Sequence, residues 1–447
     1  MRLRHVALLV AALGTGACGF DLNTNPNSPD PIGDNPTAGQ VGAAANGMLI
    51  ALRTEVQDFA LDVGVMGREV LRIDAADPRF ISELLTGRLD PGADPFGGDH
   101  WADQYVAIRE GNLLLRSLTT ADQLTPEERS ATSGYAKTIQ AYAFLTILVT
   151  HTQDSIVLEP PLDIAAPPGP FVTNGAAYDH VVTLLEEGRA ELLAGGDAFP
   201  FALPSGFAGF DAPATFAQFN RALRARVAAY RQDWAGVLTA LAESFMNTTA
   251  DLQLGVYMNY GTGAGELANP LSQDPQAGEN FAHQSLDTLA QLQVDGVTKD
   301  RRLVTKTVGR ASTTNGGFTS ALGWIRYPSP STPIPLIKNE DLILLRAEAN
   351  INLGDLGTAL TDLNQVRQQS GGLPPLGALG SAEAAIDELL YNRLFSLLYE
   401  GGHRWIDLRR YGRLAISPNG DLPISRVGGA ESVFQTFPVP RDEVLAH

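Results

Sequence analysis

Apolar residues recur every three or four positions along most of the chain from Thr37 onward, which is helical spacing. This period predicts helices that each bury one face, over 37–59, 101–118, 126–150, 176–193, 215–231, 234–245, 341–353, 356–369 and 382–400. The clearest start is at Pro126, because Thr125 can cap the helix and proline suits the first helical position. Strand-like alternation is confined to short pieces, at 251–257 and 324–327. The pattern therefore predicts an all-α fold.

Two segments of the predicted helical body align without gaps. Residues 223–234 and 345–356 both place small residues in mid-helix, then a turn ending in Asp233 or Asp355, then an apolar residue that opens the next helix. Small residues let antiparallel helices approach closely, and the aspartates are placed to cap the second helix of each pair. Tetratricopeptide helix pairs show this arrangement, as can any alanine-rich helical hairpin. The sequence favours a tetratricopeptide-like repeat scaffold with long irregular loops and a few short strands.

Long stretches rich in Gly, Pro, Asn and Ser separate the predicted helices, at 158–173, 197–214, 249–282 and 308–337. Loops of this length inside a folded body usually carry function or are disordered. We therefore expect a single helical domain over 37–447, with ligand-facing, loop-rich insertions at about 249–337.

Charge and composition restrict the partners and the chemistry. The 447 residues include 32 Lys and Arg against 50 Asp and Glu, a formal net charge of −18. An acidic surface repels phosphate backbones, so no nucleic-acid partner is expected. The motifs H-E-x-x-H, G-x-S-x-G and the P-loop are missing, and no two histidines have i, i+4 spacing. No catalytic residue, cofactor or metal site is predicted.

The N-terminus has the features of an export signal. Arg2 and Arg4 precede an apolar run over 6–13 and then a series of small residues, which is typical of a secretory signal peptide over 1–17. The apolar run is too short for a membrane-spanning helix, which needs roughly 20 residues. We expect residues 1–17 to be removed on export.

The cleavage point leaves two interpretations open. A cut before Cys18 suits an ordinary signal peptidase, but the same segment resembles a bacterial lipobox in which Thr15 replaces the usual leucine. Cys18 is the sole cysteine of the chain, and lipidation accounts for its position. We therefore expect a lipid anchor on Cys18, followed by an extended tether over 18–36 that is rich in Asn, Asp, Ser and Pro.

Three stretches of the C-terminal third resemble the SusD/RagB family. The first, over 340–367, contains an aspartate, a run of aliphatic residues and Ala-Glu-Ala, and ends in Leu-Asn-Gln-Val-Arg. The second is the run Glu-Gly-Gly-His-Arg-Trp-Ile-Asp-Leu-Arg-Arg over 400–410, and the third is Pro-Val-Pro-Arg-Asp-Glu over 438–443. Fainter similarity extends over most of the remaining chain.

This resemblance implies a surface-exposed outer-membrane lipoprotein rather than an enzyme. Such a protein would sit as a lid on a TonB-dependent, SusC-like outer-membrane barrel, and would capture oligosaccharides or other small nutrients for import. Two alternatives stay open: a lipoprotein glycoside hydrolase, since 50 acidic residues always include some pairs, and a helical-repeat scaffold that binds only protein.

Sugar recognition combines aromatic faces with amide, carboxylate and guanidinium groups that bond hydroxyls. Two predicted loops offer this mixture, at 257–260 and 323–327, and the segment 68–79 adds charged residues. Trp324 and Tyr327 are expected to form the main aromatic pair. The predicted ligand-binding residues are Trp324, Tyr327, Tyr257, Asn259, Tyr260, Arg72 and Asp74.

Neither of two acidic clusters in the sequence is predicted to bind a metal ion. His403, Asp407 and Glu400 lie beside several arginines, and those cations compete for the carboxylates. The charged residues of this block are instead expected to pair with one another and cap helix ends, while Trp405 is buried. A second cluster surrounds glycines without the spacing of a calcium loop and is interpreted as a solvated turn; it comprises Asp90, Asp94, Asp99 and Asp103.

Overall fold

The computed structural model describes residues 32–92, 96, 100–152, 156–163 and 166–447. The predicted signal peptide, Cys18 and most of the tether lie outside these residues, as do Asp94 and Asp99. The described helices are α1 (Ala38–Met66), α2 (Arg79–Ser82), α3 (Ala102–Leu118), α4 (Pro126–Thr150), α5 (Asn174–Leu193), α6 (Pro213–Tyr230), α7 (Trp234–Ala242), α8 (Ser285–Leu289), α9 (Arg301–Val304), α10 (Asn339–Leu353), α11 (Leu356–Gln369), α12 (Ala382–Ser396), α13 (His403–Arg410) and α14 (Arg441–Ala446). The strands are β1 (Val70–Arg72), β2 (Ile156–Val157), β3 (Phe171–Val172), β4 (Gly255–Met258), β5 (Asn280–Ala282), β6 (Thr307–Asn315), β7 (Phe318–Trp324) and β8 (Ile334–Lys338).

The long helices confirm the predicted all-α class. Consecutive helices pack against each other, from α3 through α7 and again from α10 through α12. The start of α4 follows the sequence signal, because Thr125 accepts from the Glu128 N–H at 3.1 Å and Glu128 accepts from the Thr125 N–H at 2.8 Å. Within the described ranges, none of the helices is both long and apolar enough to cross a membrane.

The repeated helix pairs α6–α7 and α10–α11 share their turn. Gln232 and Gly354 occupy equivalent positions, and both have a left-handed backbone, with φ of 59° and 87°. The aspartate that follows caps the second helix in each pair, since Asp233 accepts from Gly236 and Asp355 accepts from Thr358 at the backbone. The two helix pairs therefore share the turn and the aspartate cap that the sequence predicts for a tetratricopeptide-like repeat.

Strands form where the sequence predicts an irregular loop over 308–337. Strands β6 and β7 make an antiparallel hairpin, and β5 and β1 extend it into a four-stranded sheet of order β1-β5-β7-β6. The turn between β6 and β7 is Gly316-Gly317, and both residues have positive φ. Two central residues with positive φ fit the twist of a hairpin, so the Asn-Gly-Gly sequence carried a hairpin signal that loop composition obscured. A separate pair, β4 and β8, lies beside α1 and α10.

The stretch over 400–410, which we call the signature block, contains α13 and packs against α1. The fully buried Glu69 carboxylate accepts from the backbone N–H groups of Tyr399 at 2.7 Å and Arg404 at 3.3 Å. Burial raises the Glu69 pKa to about 7, against the lowering effect of these two hydrogen bonds. Gly402 precedes α13 with φ of 60°, and an added Cβ there would lie 2.2 Å from Cγ1 of Val63. Only glycine fits this junction.

A chain of buried ion pairs connects four helices behind this block. Asp341 of α10 binds Arg226 of α6 at 2.6 Å and Arg393 of α12 at 3.1 Å. Arg393 also binds Asp407 of α13 at 2.6 Å. The motif residues thus pair partly among themselves, as predicted, and partly with distant helices. Trp405 is buried, and Arg409 donates to the Val149 carbonyl near the end of α4 at 2.6 Å.

Candidate functional site

The aromatic pair predicted to face the ligand lies in the core. Trp324, at the end of β7, is 5% exposed, and Tyr327 is 3% exposed. The Trp324 ring packs on Tyr399 with centroids 4.5 Å apart, and the Tyr327 hydroxyl donates to the Tyr399 carbonyl at 2.6 Å. Rings enclosed in this way present no face to a sugar, so their expected stacking role is corrected to core packing. Glycine and proline around them marked the ends of a buried strand.

Arg72 is the last residue of β1, and Asp74 follows it in the next turn. Their side chains pair at 2.7 Å, and the Arg72 guanidinium lies 4.5 Å from the centre of the Phe80 ring. Burial opposes ionisation of Asp74, but hydrogen bonds from Arg72 and from the Ala76 and Asp77 backbone outweigh it and hold its pKa below the ordinary value. These contacts organise the turn that follows β1.

The remaining predicted residues lie in and after β4. Tyr257 is half-buried, and its hydroxyl donates to the Gln253 carbonyl. The Asn259 amide donates to the Ser205 hydroxyl at 2.8 Å and accepts from the Gly206 N–H at 2.6 Å. The buried Tyr260 donates its hydroxyl to the Arg53 carbonyl at 2.8 Å. Asn259 and Tyr260 therefore join the loop at 202–207 to helix α1.

Asn259 and Tyr260 line a cleft of about 520 Å³ between α1 and two loops, which we call the α1 cleft. This volume falls within the usual range of small-molecule sites. Helix α1 contributes one face to the lining, and residues 202–205, residues 259–261 and Glu266 supply the opposite wall. The α1 cleft is defined by these residues together with Asn46, Leu49, Ile50 and Arg53.

The polar groups of the α1 cleft have hydrogen-bonding capacity to spare. Arg53 binds the half-exposed Glu266 carboxylate at 3.1 Å through one terminal nitrogen. Nε of Arg53 and Oδ1 of Asn46 are buried without a hydrogen-bond partner among the described residues. Buried polar atoms are rarely left unpaired, because desolvation is then uncompensated. The Arg53 side chain as a whole is 15% exposed and that of Glu266 is 50% exposed, so their accessible polar atoms can bond the hydroxyls of a ligand.

Apolar surface lies beside these polar groups. Ile50 is 60% exposed, and Leu203 and Pro204 face it within the cleft lining. A sugar ring has an apolar C–H face and a rim of hydroxyls, so aliphatic side chains can cover the former while amide, guanidinium and carboxylate groups bond the latter. The α1 cleft thus offers both components of sugar binding, with aliphatic residues where the sequence predicts aromatic ones.

Sequence reasoning missed the helix that forms half of this cleft. Asn46, Ile50 and Arg53 have i, i+4, i+7 spacing and so lie on one face of α1. Polar residues on one face of an otherwise buried helix were the available signal. Their partner loop at 202–205 is about 150 residues away in the sequence, and nothing local indicates that the two meet.

The residues considered for a metal site do not converge. Three cations hold the Glu400 carboxylate, and Asp407 is paired with Arg393 and Arg410. Burial lowers the His403 pKa to about 3. Within the described residues, no group of three or more His, Cys, Asp or Glu side chains is placed to hold a metal ion.

Comparison with known proteins finds a family model that matches part of the chain. Residues 330–439, which include the signature block, match the model of the SusD family. No curated protein matches the chain by sequence.

Solved structures share the fold over nearly the full length. A SusD superfamily protein from Bacteroides fragilis is similar with a TM-score of 0.70 and 17% identity, over 94% of this chain and 99% of that one. A SusD-like carbohydrate binding protein from Bacteroides fragilis gives 0.69 and 14%, over 92% and 98%. The surface glycan-binding protein A from Bacteroides uniformis gives 0.67 and 16%, over 92% and 98%. The chain thus matches the SusD family model over residues 330–439 and shares the fold of SusD-like structures over nearly its full length.

Proposed function

We propose that the protein binds oligosaccharides in the α1 cleft at the cell surface and delivers them to a TonB-dependent, SusC-like outer-membrane barrel. The observation that carries the proposal is the α1 cleft, in which the partly exposed Arg53 and Glu266 side chains lie beside exposed aliphatic surface. The carbohydrate- and glycan-binding relatives named above support the choice of ligand class.

The lining of the cleft favours binding over hydrolysis. Glycoside hydrolysis needs two carboxyl groups on opposite sides of the scissile bond. Glu266 is the one acidic side chain that lines the α1 cleft within the described residues, and it is half-exposed and paired with Arg53. This single carboxylate can accept hydrogen bonds from ligand hydroxyls, but it provides only one of the two carboxyl groups that hydrolysis needs.

Replacing Arg53 by Ala tests the location of the site. We expect affinity for a neutral oligosaccharide to fall about tenfold or more, because one or two hydrogen bonds to hydroxyls are lost. Arg189→Ala is the control, since Arg189 also pairs with a glutamate, Glu243 at 2.8 Å, but does not line the α1 cleft. Affinity electrophoresis against a panel of oligosaccharides gives the measurement. Equal affinities for the two variants would place the site elsewhere.

The anchor and the delivery step form the second half of the proposal. Lipidation at Cys18 would hold the folded body at the membrane through the 18–36 tether, with reach toward a barrel partner. We expect Cys18→Ser to move the protein from the membrane fraction to the soluble fraction. The protein without this substitution should co-purify with an outer-membrane barrel from detergent extracts. Retention of Cys18→Ser in the membrane fraction would refute the lipid anchor.

A further inference from the structure

A second cavity, separate from the α1 cleft, is lined by more basic than acidic residues. It has a volume of about 530 Å³ and lies between the ends of α11 and α12, the start of α9 and the end of β8. Five basic side chains line it against three acidic ones, in a chain where acidic residues outnumber basic ones by 50 to 32. We call it the basic cavity. A local reversal of charge inside an acidic protein attracts anions to that place.

The charge of the basic cavity centres on one carboxylate. Glu400 binds Lys306 at 3.0 Å, Arg326 at 3.0 Å and Lys338 at 2.7 Å. Glu340 lies 3.3 Å from Lys338 and is the second acid of the cluster. Three cations around Glu400 are therefore opposed by two carboxylates, which leaves one positive charge unmatched.

Most of the basic donors are already engaged. Lys306 donates to the carbonyls of Phe395 at 3.1 Å and Ser396 at 2.9 Å, and Lys338 donates to the Ser396 carbonyl at 3.0 Å. These contacts cap the C-terminal end of α12, where free carbonyls favour cations. Arg302 is paired with Asp300 at 2.6 Å behind the cavity. The lysines and Arg302 thus have structural roles.

Arg326 is different, because only its Nε is engaged. Nε donates to Glu400 at 3.0 Å, while the two terminal nitrogens make no hydrogen bond within the described part of the chain. The guanidinium lies 4.8 Å from the centre of the Tyr327 ring, and the side chain is 17% exposed. A guanidinium held through Nε, with both terminal NH2 groups free of hydrogen bonds, can bind a carboxylate or sulfate in a bidentate manner.

The protonation of the cluster agrees with this excess of positive charge. Burial opposes ionisation of Glu400, yet Lys306, Lys338 and Arg326 hold its pKa well below the ordinary value. Burial, together with repulsion from Lys338 and Arg326, lowers the Lys306 pKa to about 8 despite attraction to Glu400. An incoming anion would relieve this repulsion.

We infer that the basic cavity binds an acidic sugar, with the Arg326 guanidinium holding the oxyanion of a uronic acid or a sulfated residue. The inference rests on the proposed saccharide function, and it adds a second subsite with its own charge preference. The volume suits one or two sugar rings. Gln253 and Ser370 also line the basic cavity and can bond ring hydroxyls.

Matched ligands and variants test the assignment. Glucuronate and glucose differ at C6, where one carries a carboxylate, so their affinities isolate the oxyanion. By calorimetry, we expect glucuronate to bind at least about tenfold more tightly than glucose. This ratio of affinities should decrease as the salt concentration rises, because salt screens the charge interaction. Arg326→Gln should remove that preference, and Arg326→Lys should restore part of it. Arg441→Gln, at an exposed arginine paired with Asp90, is the control and should leave the preference for glucuronate over glucose unchanged.

A second variant covers the case in which Arg326→Gln fails to fold. Thr305 is exposed on the cavity wall, so Thr305→Glu adds a repelling carboxylate without breaking the Glu400 cluster. Glucuronate binding that survives both changes would overturn the inference. Inorganic sulfate binding as tightly as glucuronate would also overturn it, because recognition would then need no sugar.

Failure of this inference can be told apart from failure of the proposed function. Binding of neutral oligosaccharides that is lost in Arg53→Ala, with no preference for glucuronate, would retain the α1 cleft and reject the basic cavity. An absence of binding to every saccharide would reject both. Loss of glucuronate binding in Arg53→Ala but not in Arg326→Gln would assign the acidic sugar to the α1 cleft and reject the basic cavity.

Discussion

Replacing Arg393 by Ala is expected to lower the free energy of unfolding by about 3–5 kcal/mol, the usual cost of breaking a buried ion pair from one side. Arg393 is fully enclosed between Asp341 and Asp407, at 3.1 and 2.6 Å. Its removal leaves each carboxylate with one fewer cation in a site that water does not reach. Chemical denaturation monitored by circular dichroism gives the measurement.

An exposed arginine provides the control for this variant. Arg413 also pairs with two aspartates, Asp387 and Asp421, but these carboxylates are largely in solvent. Exposed pairs contribute about 0–1 kcal/mol, so Arg413→Ala should have a small effect. Equal losses in the two variants would show that burial does not determine the strength of the Arg393 contacts.

The same network predicts how this difference in stability varies with pH. Burial opposes ionisation of Asp341, but Arg226 and Arg393 hold its pKa well below the ordinary value. A lowered carboxyl pKa stabilises the folded state above the unfolded pKa, and this stability is lost as the pH falls below about 4. Without Arg393, the Asp341 pKa is lowered less strongly. The difference in the free energy of unfolding between the unsubstituted protein and Arg393→Ala should therefore decrease as the pH falls from about 4 to 2. A difference in the free energy of unfolding that increases over this range would contradict the assigned role of Asp341.

Replacing Trp324 by Ala should be similarly costly, at about 3–5 kcal/mol, because a large buried ring leaves a cavity. The loss should extend to the signature block, since Trp324 packs on Tyr399, which in turn is bound through its backbone to Glu69. Trp324→Phe should recover part of the stability. Trp234→Ala, at a half-buried position on α7, is the matched control and should cost less.

The effect on ligand binding separates the two interpretations of Trp324. If the Trp324 ring belongs to the hydrophobic core and does not contact the ligand, any Trp324→Ala protein that remains folded at low temperature should bind oligosaccharide with unchanged affinity. Normal stability with weakened binding would instead restore Trp324 as a ligand platform and contradict its burial.

Helices were predictable because their signals are local. The period of apolar residues, the Thr125 cap and the repeated Asp233 and Asp355 turns each lie within a few residues of the structure they specify. The hairpin of β6 and β7 was missed although Asn315-Gly316-Gly317 is also a local signal. Loop-like composition at 308–337 outweighed it.

The site was only partly predictable, because side chains distant in sequence build it. Asn259 and Tyr260, which are predicted from their mixture of amide and aromatic groups, line the α1 cleft. Arg53 was not found, since its partner Glu266 is 213 residues away. Trp324 was wrongly assigned, because glycine and proline nearby are equally compatible with an exposed loop and with the end of a buried strand. No local pattern distinguishes the two, and packing against Tyr399 decides the outcome.

Titration calorimetry of the unmodified protein with a panel of oligosaccharides, followed by chromatography of the recovered ligand, tests the central claim most directly. We predict saturable binding of at least one oligosaccharide, with the ligand recovered intact after prolonged incubation. Shortened products in the recovered ligand, or no binding to any member of the panel, would contradict the account of this protein as a sugar-capturing binder.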